Sequence, residues 1–183
     1  MRHGLLIFAS ILLATGNALA DPAKVRGGYV GGGLGATMFD DGGAFAFFEQ
    51  DDTDSGFGIF GGYKFFRYFS VEGRYTDFGT FSVGGLPFDA SALSAHAVGI
   101  IPFGNSGWEI FGQLGFGVLD VTLPGEPSED EAVATGGFGG RFSLTENFSF
   151  ALQLDVYVYE DTSLGPAYDI GFSATSVTLQ YIF

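Results

Sequence analysis

Apolar and polar residues alternate over long stretches of the chain, with the period of two that gives a β-strand two different faces. In the last segment Val177, Leu179, Tyr181 and Phe183 point to one face, while Ser176, Thr178 and Gln180 point to the other. Residues 149–156 alternate in the same way. A soluble β-sandwich would show this alternation too, so the class of β-protein has to come from other features.

The pattern predicts eight strands, separated by polar, acidic or Gly/Pro-rich breaks, each near the roughly 9–11 residues that cross a bilayer when tilted. The breaks at 40–55, 78–90, 122–132 and 158–167 are long, and those between them are short. This alternation favours an all-β, eight-stranded, antiparallel up-and-down transmembrane β-barrel with long outer loops, short periplasmic turns and both termini in the periplasm. The predicted strands are Gly28–Phe39, Gly56–Phe65, Phe69–Asp77, Ser91–Ile101, Trp108–Val121, Val133–Leu144, Phe148–Tyr157 and Tyr168–Phe183.

The first twenty residues have the pattern of a secretory signal peptide rather than of a folded element. A short basic start at Met1–His3 precedes the apolar run Leu5–Leu13, and Ala18-Leu19-Ala20 is an A-x-A cleavage site. We therefore expect residues 1–20 to be removed and residues 21–183 to form one outer-membrane β-barrel domain. The chain has no cysteine, so disulfides, thiolate chemistry and lipid attachment through cysteine are excluded.

Composition narrows the class further. The chain carries 7 Lys and Arg against 21 Asp and Glu, a formal charge of −14, which argues against binding to nucleic acid. It is nevertheless hydrophobic and rich in Phe and Gly, unlike a disordered acidic tail. Beyond the leader, no apolar run reaches the roughly 18 residues of a membrane helix. A closed barrel is then the main membrane-compatible solution, because it satisfies every backbone polar group in lipid.

The chain end resembles the signal with which outer-membrane barrels are delivered to their assembly machinery. It has a terminal Phe183, an aromatic Tyr181 two residues earlier, and apolar Val177 and Leu179 in alternation. The resemblance implies that these four residues are recognised during insertion. It also implies the cell outer membrane as the location.

Two short motifs resemble the OmpA/OmpX-type family of small outer-membrane barrels. They are Tyr29–Gly35, which is similar to that family's first strand, and Leu93–His96, which is similar to its fourth. The resemblance covers about 160 residues and implies architecture more than activity. It also predicts that no periplasmic peptidoglycan-binding domain follows the last strand, unlike in full-length OmpA.

The same resemblance implies a polar lumen. Glu72 and Arg74 alternate with apolar or small neighbours, and charges facing lipid at the midplane would cost roughly 2–4 kcal/mol each for Arg or Lys. His96 stands where the resemblance places a lumen lysine, and Arg141 where it places a glutamate, so a family gating mechanism does not carry over directly. The expected lumen residues are Lys64, Glu72, Arg74, His96, Glu109, Gln113, Arg141, Gln153 and Asp155.

Glycine and aromatic residues are given structural roles by the pattern. Alternating glycines are expected to make room in the lumen for bulky neighbours such as Phe60 and Phe111. Aromatics near predicted strand ends are expected to form girdles at the two membrane interfaces, with sugar stacking as the alternative. These aromatics are Tyr29, Tyr63, Phe65, Tyr75, Trp108, Phe148, Tyr181 and Phe183.

The sequence predicts no enzyme, no cofactor and no dedicated metal site. His96 is the one histidine left after the leader, and it lies in mid-strand with no adjacent His-x-Ser arrangement. The long loops are acidic and contain no Lys or Arg. A solvated surface is one explanation, and divalent-cation binding is the other, since carboxylate oxygens suit Ca²⁺ and Mg²⁺.

The favoured function is therefore that of an integral outer-membrane barrel with a structural or surface-interaction role, acidic outer loops and a closed, polar lumen. The alternative is a narrow, porin-like channel for ions or very small solutes, and a lipid-modifying enzyme comes third. The expected partners are outer-membrane lipid and lipopolysaccharide, the barrel assembly machinery during biogenesis, and, as an alternative for the loops, divalent cations.

Overall fold

Eight long antiparallel strands form the wall of the molecule. The computed structural model describes residues 26–40, 50–51, 53–122, 129–161 and 168–183, so the signal-peptide prediction and parts of the acidic loops lie outside the described residues. Among the described residues, no helix is long and apolar enough to cross a membrane. The strands are β1 (Gly27–Asp40), β2 (Thr53–Phe66), β3 (Phe69–Val83), β4 (Leu86–Pro102), β5 (Trp108–Thr122), β6 (Glu129–Ser143), β7 (Phe148–Asp161) and β8 (Tyr168–Ile182).

The sheet closes on itself because β1 pairs with both β2 and β8. Following directly opposed residues around the wall from Ser143 on β6 leads through Gln180, Arg74 and Gly117 to Val133, ten residues earlier on the same strand. Such a stagger requires tilted strands, typically by about 35–45°. Closure also leaves no strand edge unpaired within the wall, which is the condition for a sheet in lipid. The predicted fold class is confirmed.

The two ends of the barrel differ. β1 begins and β8 ends at the end where short turns join β2 to β3, β4 to β5 and β6 to β7; we call it the terminal end. At the opposite end, the loop end, the chain between β3 and β4 forms a tight turn instead of the long loop that the sequence predicts for residues 78–90. In the structure β3 runs on to Val83 and β4 starts at Leu86.

The loop prediction for residues 78–90 is wrong because two features break the local alternation. A β-bulge between Asp77 and Gly79 shifts the register, so the strand continues with its inward positions displaced. Gly84 and Gly85 then close the hairpin with φ of 59° and 81°, the left-handed conformation that glycine adopts without strain. Glycines that suggested a break in the sequence are therefore part of a continuous hairpin.

The outer face is apolar through the middle of the wall and aromatic at the terminal end. Leu34, Leu114 and Phe116 are each more than 70% exposed, which suits a surface covered by lipid rather than water. The terminal end carries a ring of aromatics, among them Tyr63, Phe65, Trp108, Phe148, Tyr181 and Phe183. Among the described residues, fewer outward aromatics lie at the loop end, so the structure shows the expected girdle at the terminal end.

Candidate functional site

The lumen contains two charged layers, and the lower layer is the one closer to the terminal end. Lys64, near the end of β2, donates a hydrogen bond to Glu109 Oε1 at 3.1 Å. Arg141 stands directly opposite Glu109 across β5 and β6, and its guanidinium is 3.5 Å from the second carboxylate oxygen. The Arg141 guanidinium also lies 4.7 Å from the centroid of the Phe111 ring. One carboxylate is thus shared by two cations that lipid could not accommodate.

A second charged layer lies in the middle of the lumen and is centred on Arg74. Its Nη2 and Nε atoms donate to Glu72 Oε1 at 2.6 and 3.0 Å, and Nη1 donates to Asp155 Oδ2 at 2.6 Å. Gln113 and Gln153 also donate hydrogen bonds to the Asp155 carboxylate. The Arg74 guanidinium lies 5.0 Å from the centroid of the Phe60 ring. This is a one-cation, two-carboxylate cluster with most of its oxygen atoms bonded.

Among the described residues, the His96 ring has a side-chain neighbour at hydrogen-bond distance on one of its two nitrogens. Its Nε2 atom is 3.2 Å from Thr135 Oγ1, whereas Nδ1 has no hydrogen-bond partner among the described residues. Glu72 stands directly opposite His96, but its oxygens are bonded to Arg74 and to Tyr29. A nucleophile–histidine–acid relay needs a carboxylate on the second ring nitrogen, and no carboxylate of the described residues is bonded there.

The nine residues expected in the lumen all lie inside the barrel wall and are buried. The structure brings them together in the two charged layers described above, with His96 beside the upper one. They are Lys64, Glu72, Arg74, His96, Glu109, Gln113, Arg141, Gln153 and Asp155.

The sequence predicts a polar lumen, but the part of the lumen towards the loop end is apolar. Towards the loop end, its interior is filled by an apolar cluster that we call the stopper: Phe39, Phe78, Phe81, Ala90, Ala92, Leu119, Val133, Tyr157, Phe172 and Ala174. The rings pack closely, with centroids of Phe78 and Phe172 5.1 Å apart and those of Phe39 and Phe172 also 5.1 Å apart. Alternation along the strand could have predicted part of this cluster, because Tyr157 lies two residues after Asp155 and four after Gln153, on the same inward face.

The position of Tyr29 near a strand end suggested an interfacial girdle, and this prediction is wrong. Tyr29 points inward, is 3% exposed, and its hydroxyl lies 3.1 Å from Glu72 Oε2 and 3.3 Å from Ser70 Oγ. Proximity to a strand end does not decide the face, whereas parity does: Tyr29 shares its face with Gly31 and Gly33. A Cβ atom at Gly31 would overlap the Phe60 ring, so this glycine leaves lumen space for an aromatic as expected.

Little free volume is left between these layers. A cavity of about 20 Å³, lined among others by Thr37, Phe60, Arg74 and Asp155, lies between the upper charged layer and the stopper. That volume is about enough for a single water molecule. Four buried oxygens have no hydrogen-bond partner among the described residues, although Glu109 Oε2 is ion-paired with Arg141, and they lie in or near the lower layer: Glu109 Oε2, Ser143 Oγ, Ser149 Oγ and Gln180 Oε1.

Acidic side chains surround the loop end. Asp77 and Asp120 are half-buried, while Asp89, Asp130 and Glu131 are exposed. Asp120 and Asp130 stand directly opposite each other on β5 and β6. Among the described residues, no group of three or more potential ligands is arranged to hold a metal ion. The exposed or half-exposed cations that the structure describes, Arg26 and Arg67, lie at the terminal end together with the exposed Glu146, so the excess of negative charge is at the loop end.

The C-terminal strand exposes the residues proposed as the assembly signal. Val177, Leu179 and Phe183 face outward, and the Phe183 side chain is 62% exposed. The Tyr181 ring packs against Phe148 and Phe183, with centroid distances of 4.9 and 5.3 Å. The backbone N–H of Phe183 donates to Gly28 O, which joins the last residue to the first strand.

Comparison with known proteins gives one family and several solved structures. Residues 6–183 match the model of the outer membrane protein beta-barrel domain. No curated protein sequence matches this chain. Among solved structures, Neisserial surface protein A superposes with a TM-score of 0.67 at 13% identity, covering 87% of this chain and 99% of that one.

Two further structures show the same fold at low identity. The outer membrane protein OprG from Pseudomonas aeruginosa has a TM-score of 0.59 at 16% identity, covering 90% of this chain and 99% of OprG. Ail, the attachment invasion locus protein of Yersinia pestis, solved with the heparin analogue sucrose octasulfate, has a TM-score of 0.54 at 17% identity. That comparison covers 87% of this chain and 100% of Ail.

Proposed function

This chain belongs to the outer membrane protein β-barrel family, and from that premise we propose that it is a closed barrel that presents an acidic surface outside the cell. Its role is structural or one of surface interaction, rather than transport or catalysis. The observation that carries the proposal is the filled lumen: an aromatic stopper lies above two layers of ion pairs.

The packing of the lumen argues against a permanent ion path. Arg74 bonds two carboxylates at 2.6 Å, and Phe78 and Phe172 are at most 1% exposed. An ion passing through would have to separate the Arg74 pairs and also enter an apolar layer, where an unpaired charge is strongly disfavoured. Eight-stranded barrels are generally just wide enough for side chains to fill the interior.

Single-channel recording in planar bilayers tests this proposal directly. The wild-type protein is expected to give no steady conductance, because both barriers lie in series. The double variant Phe78→Ala, Phe172→Ala removes stopper rings but leaves the charged layers; with Arg74→Ala added, it is expected to conduct more often than the matched outer-face variant Leu114→Ala. A steady wild-type conductance would establish the alternative, a narrow channel for ions or very small solutes.

The chain ends and short turns support an orientation for the barrel, and the carboxylates at the loop end support a chemistry for its outer surface. We place the terminal end, with both chain ends and the short turns, in the periplasm, and the loop end outside. The outer-membrane lipid and lipopolysaccharide then cover the apolar wall. The carboxylates at the loop end favour cationic groups, including divalent cations, as partners.

The negative charge at the loop end predicts that this protein, unlike Ail, whose structure was solved with a heparin analogue, does not bind such polyanions. Polyanions are repelled by Asp89, Asp130 and Glu131, and the structure describes no exposed basic residue at the loop end. We expect the detergent-solubilised protein to pass through a heparin column unretained at low salt. The variant Asp89→Lys, Asp130→Lys should be retained on the heparin column. Retention of the wild-type protein would contradict the proposed acidic surface.

A further inference from the structure

The hairpin between β3 and β4 rises beyond the wall of the barrel. The last pair between β2 and β3 is Phe57 with Asp77, and the last between β4 and β5 is Asp89 with Thr122. Residues 79–88, which we call the rim hairpin, therefore form a two-stranded ribbon. Among the described residues, its only ladder to another segment is the short pairing of Gln50 and Asp51 with Val83 and Ser82. A two-stranded ribbon by itself is marginally stable in water.

The inner face of the rim hairpin is apolar and lies over the lumen. The Phe81 ring is 1% exposed and lies 5.7 Å from the Phe172 ring and 5.9 Å from the Phe39 ring. The ring of Phe88, on the other arm of the hairpin, lies 5.3 Å from Phe39. The hairpin thus supplies the uppermost rings of the stopper, and its position decides whether Phe39 and Phe172 are covered.

Three carboxylates from three strands converge where the rim hairpin leaves the wall. The N–H of Gly79 donates to Asp77 Oδ1 at 2.9 Å, and that of Thr80 donates to Asp54 Oδ2 at 2.7 Å. The Thr80 hydroxyl donates to Asp89 Oδ1 at 2.6 Å. Gly79 has a φ of 87° at the β-bulge, so the chain bends at this point.

We propose that the rim hairpin is a lid that bends at its base, at Gly79 and Thr80, and that the bonds of these two residues to Asp54, Asp77 and Asp89 form a latch that fixes the closed bend. When the latch opens, the ribbon swings outward with Phe81 and Phe88 and uncovers the aromatic floor at Phe39 and Phe172. The latch bonds are at the water-exposed rim, so water can replace them during opening. The charged layers stay in place beneath, and the lumen remains closed at that level.

The absence of cysteine makes a thiol reporter specific. Ala92 is buried within the stopper, and Ala92→Cys adds little volume there. The protein is reconstituted in lipid vesicles and treated with a cationic, membrane-impermeant methanethiosulfonate from the outside. Asp54→Asn on this background is expected to raise the labelling rate by about tenfold, the effect of losing about 1.4 kcal/mol of latch stability.

Asp130→Asn is the matched control, because it removes the same charge from the rim while Asp130 makes no contact with the hinge residues in the structure. Its labelling rate should stay within about twofold of the parent. Thr80→Val, which removes the hydroxyl bonded to Asp89, should raise the rate independently and covers the case in which Asp54→Asn does not fold. The lid is ruled out if neither variant labels faster than the Asp130 control while both show the gel migration of a folded barrel.

Discussion

At the scale of single residues, the main feature is that buried charges are placed where a shared partner exists. Arg74 holds Glu72 and Asp155, and Glu109 is held by Lys64 and Arg141. In each layer one central residue pairs with two residues of the opposite charge. Loss of the central residue therefore leaves two like charges without compensation. Residue parity along the strand decides that these side chains face inward.

The first residue-scale prediction is that Arg74→Ala destabilises the barrel by about 3–5 kcal/mol, because it leaves two carboxylates unpaired in a poorly hydrated lumen. The measurement is the urea midpoint of unfolding in detergent or lipid. Adding Glu72→Gln to Arg74→Ala should recover part of the loss. Arg67→Ala, at a turn on the terminal end, serves as the control and should change the midpoint little; equal losses at both positions would contradict the network.

The second concerns Asp54, which lies in β2 above the apolar band that begins at Phe57. Hydrogen bonds from the backbone N–H groups of Thr80 and then of Ser55 hold the pKa of its carboxyl below the usual range. A lowered folded-state pKa contributes stability above the unfolded-state pKa of about 3.9, and this contribution is lost as pH falls through the folded-state pKa.

Asp54→Asn should therefore lower the unfolding midpoint near pH 7, and the difference from wild type should shrink as pH falls below about 4. Urea titrations of both proteins across this range measure the effect. A difference that does not depend on pH would show that the charge of Asp54 is irrelevant to its contacts.

At the scale of elements, the alternation of apolar and polar residues predicted the bounds of some strands closely and missed the ends of others. β1 and β5 begin and end within one residue of their predicted bounds, since their alternation is uninterrupted. β3 and β4 extend well past their predicted ends, because the bulge at Gly79 shifts the parity in mid-strand. The last strand combines regular alternation with exposed aromatics, which fits its proposed role in assembly.

The element-scale prediction is that deleting Phe183 slows insertion and lowers the level in the outer membrane. The deletion removes an exposed ring that packs on Tyr181, and it removes the backbone bond to Gly28. Pulse–chase fractionation measures the rate. Phe103→Ala, which removes an exposed aromatic from a turn at the same end, is the control; normal insertion of the deletion would exclude a role for Phe183 as a signal.

At the scale of the whole molecule, closure is the property that stabilises the fold in a membrane. Every strand has two neighbours, and the sheet presents an apolar face outward and a paired polar or aromatic filling inward. The loop end is carboxylate-rich and the terminal end is aromatic among the described residues, so the two ends of the barrel differ chemically. This difference is a property of the assembled barrel, to which all eight strands contribute.

The whole-molecule prediction is that the protein resists SDS until boiled and then migrates differently on a gel. Closure leaves no unpaired edge at which detergent could start to separate the strands, so unfolding needs the whole barrel to open. Electrophoresis with and without heating provides the measurement, and circular dichroism should show β-structure. One band position under both conditions, together with a helical spectrum, would be inconsistent with a closed barrel.

The sequence by itself determined the number of strands, their antiparallel order and the face to which most side chains point. The two faces follow from a period of two, which the pleat of a strand imposes on neighbouring residues, and the strand number and order follow from the breaks between the alternating segments. Glu72 and Arg74 could be assigned inward because the family resemblance implies a polar lumen and charges facing lipid are costly. Only the tertiary structure decided which charges meet, that Tyr29 reaches Glu72 and that aromatics close the upper lumen. Those contacts join residues far apart in the chain, and their positions depend on the ten-residue stagger of the closed sheet and on the bulge at Gly79.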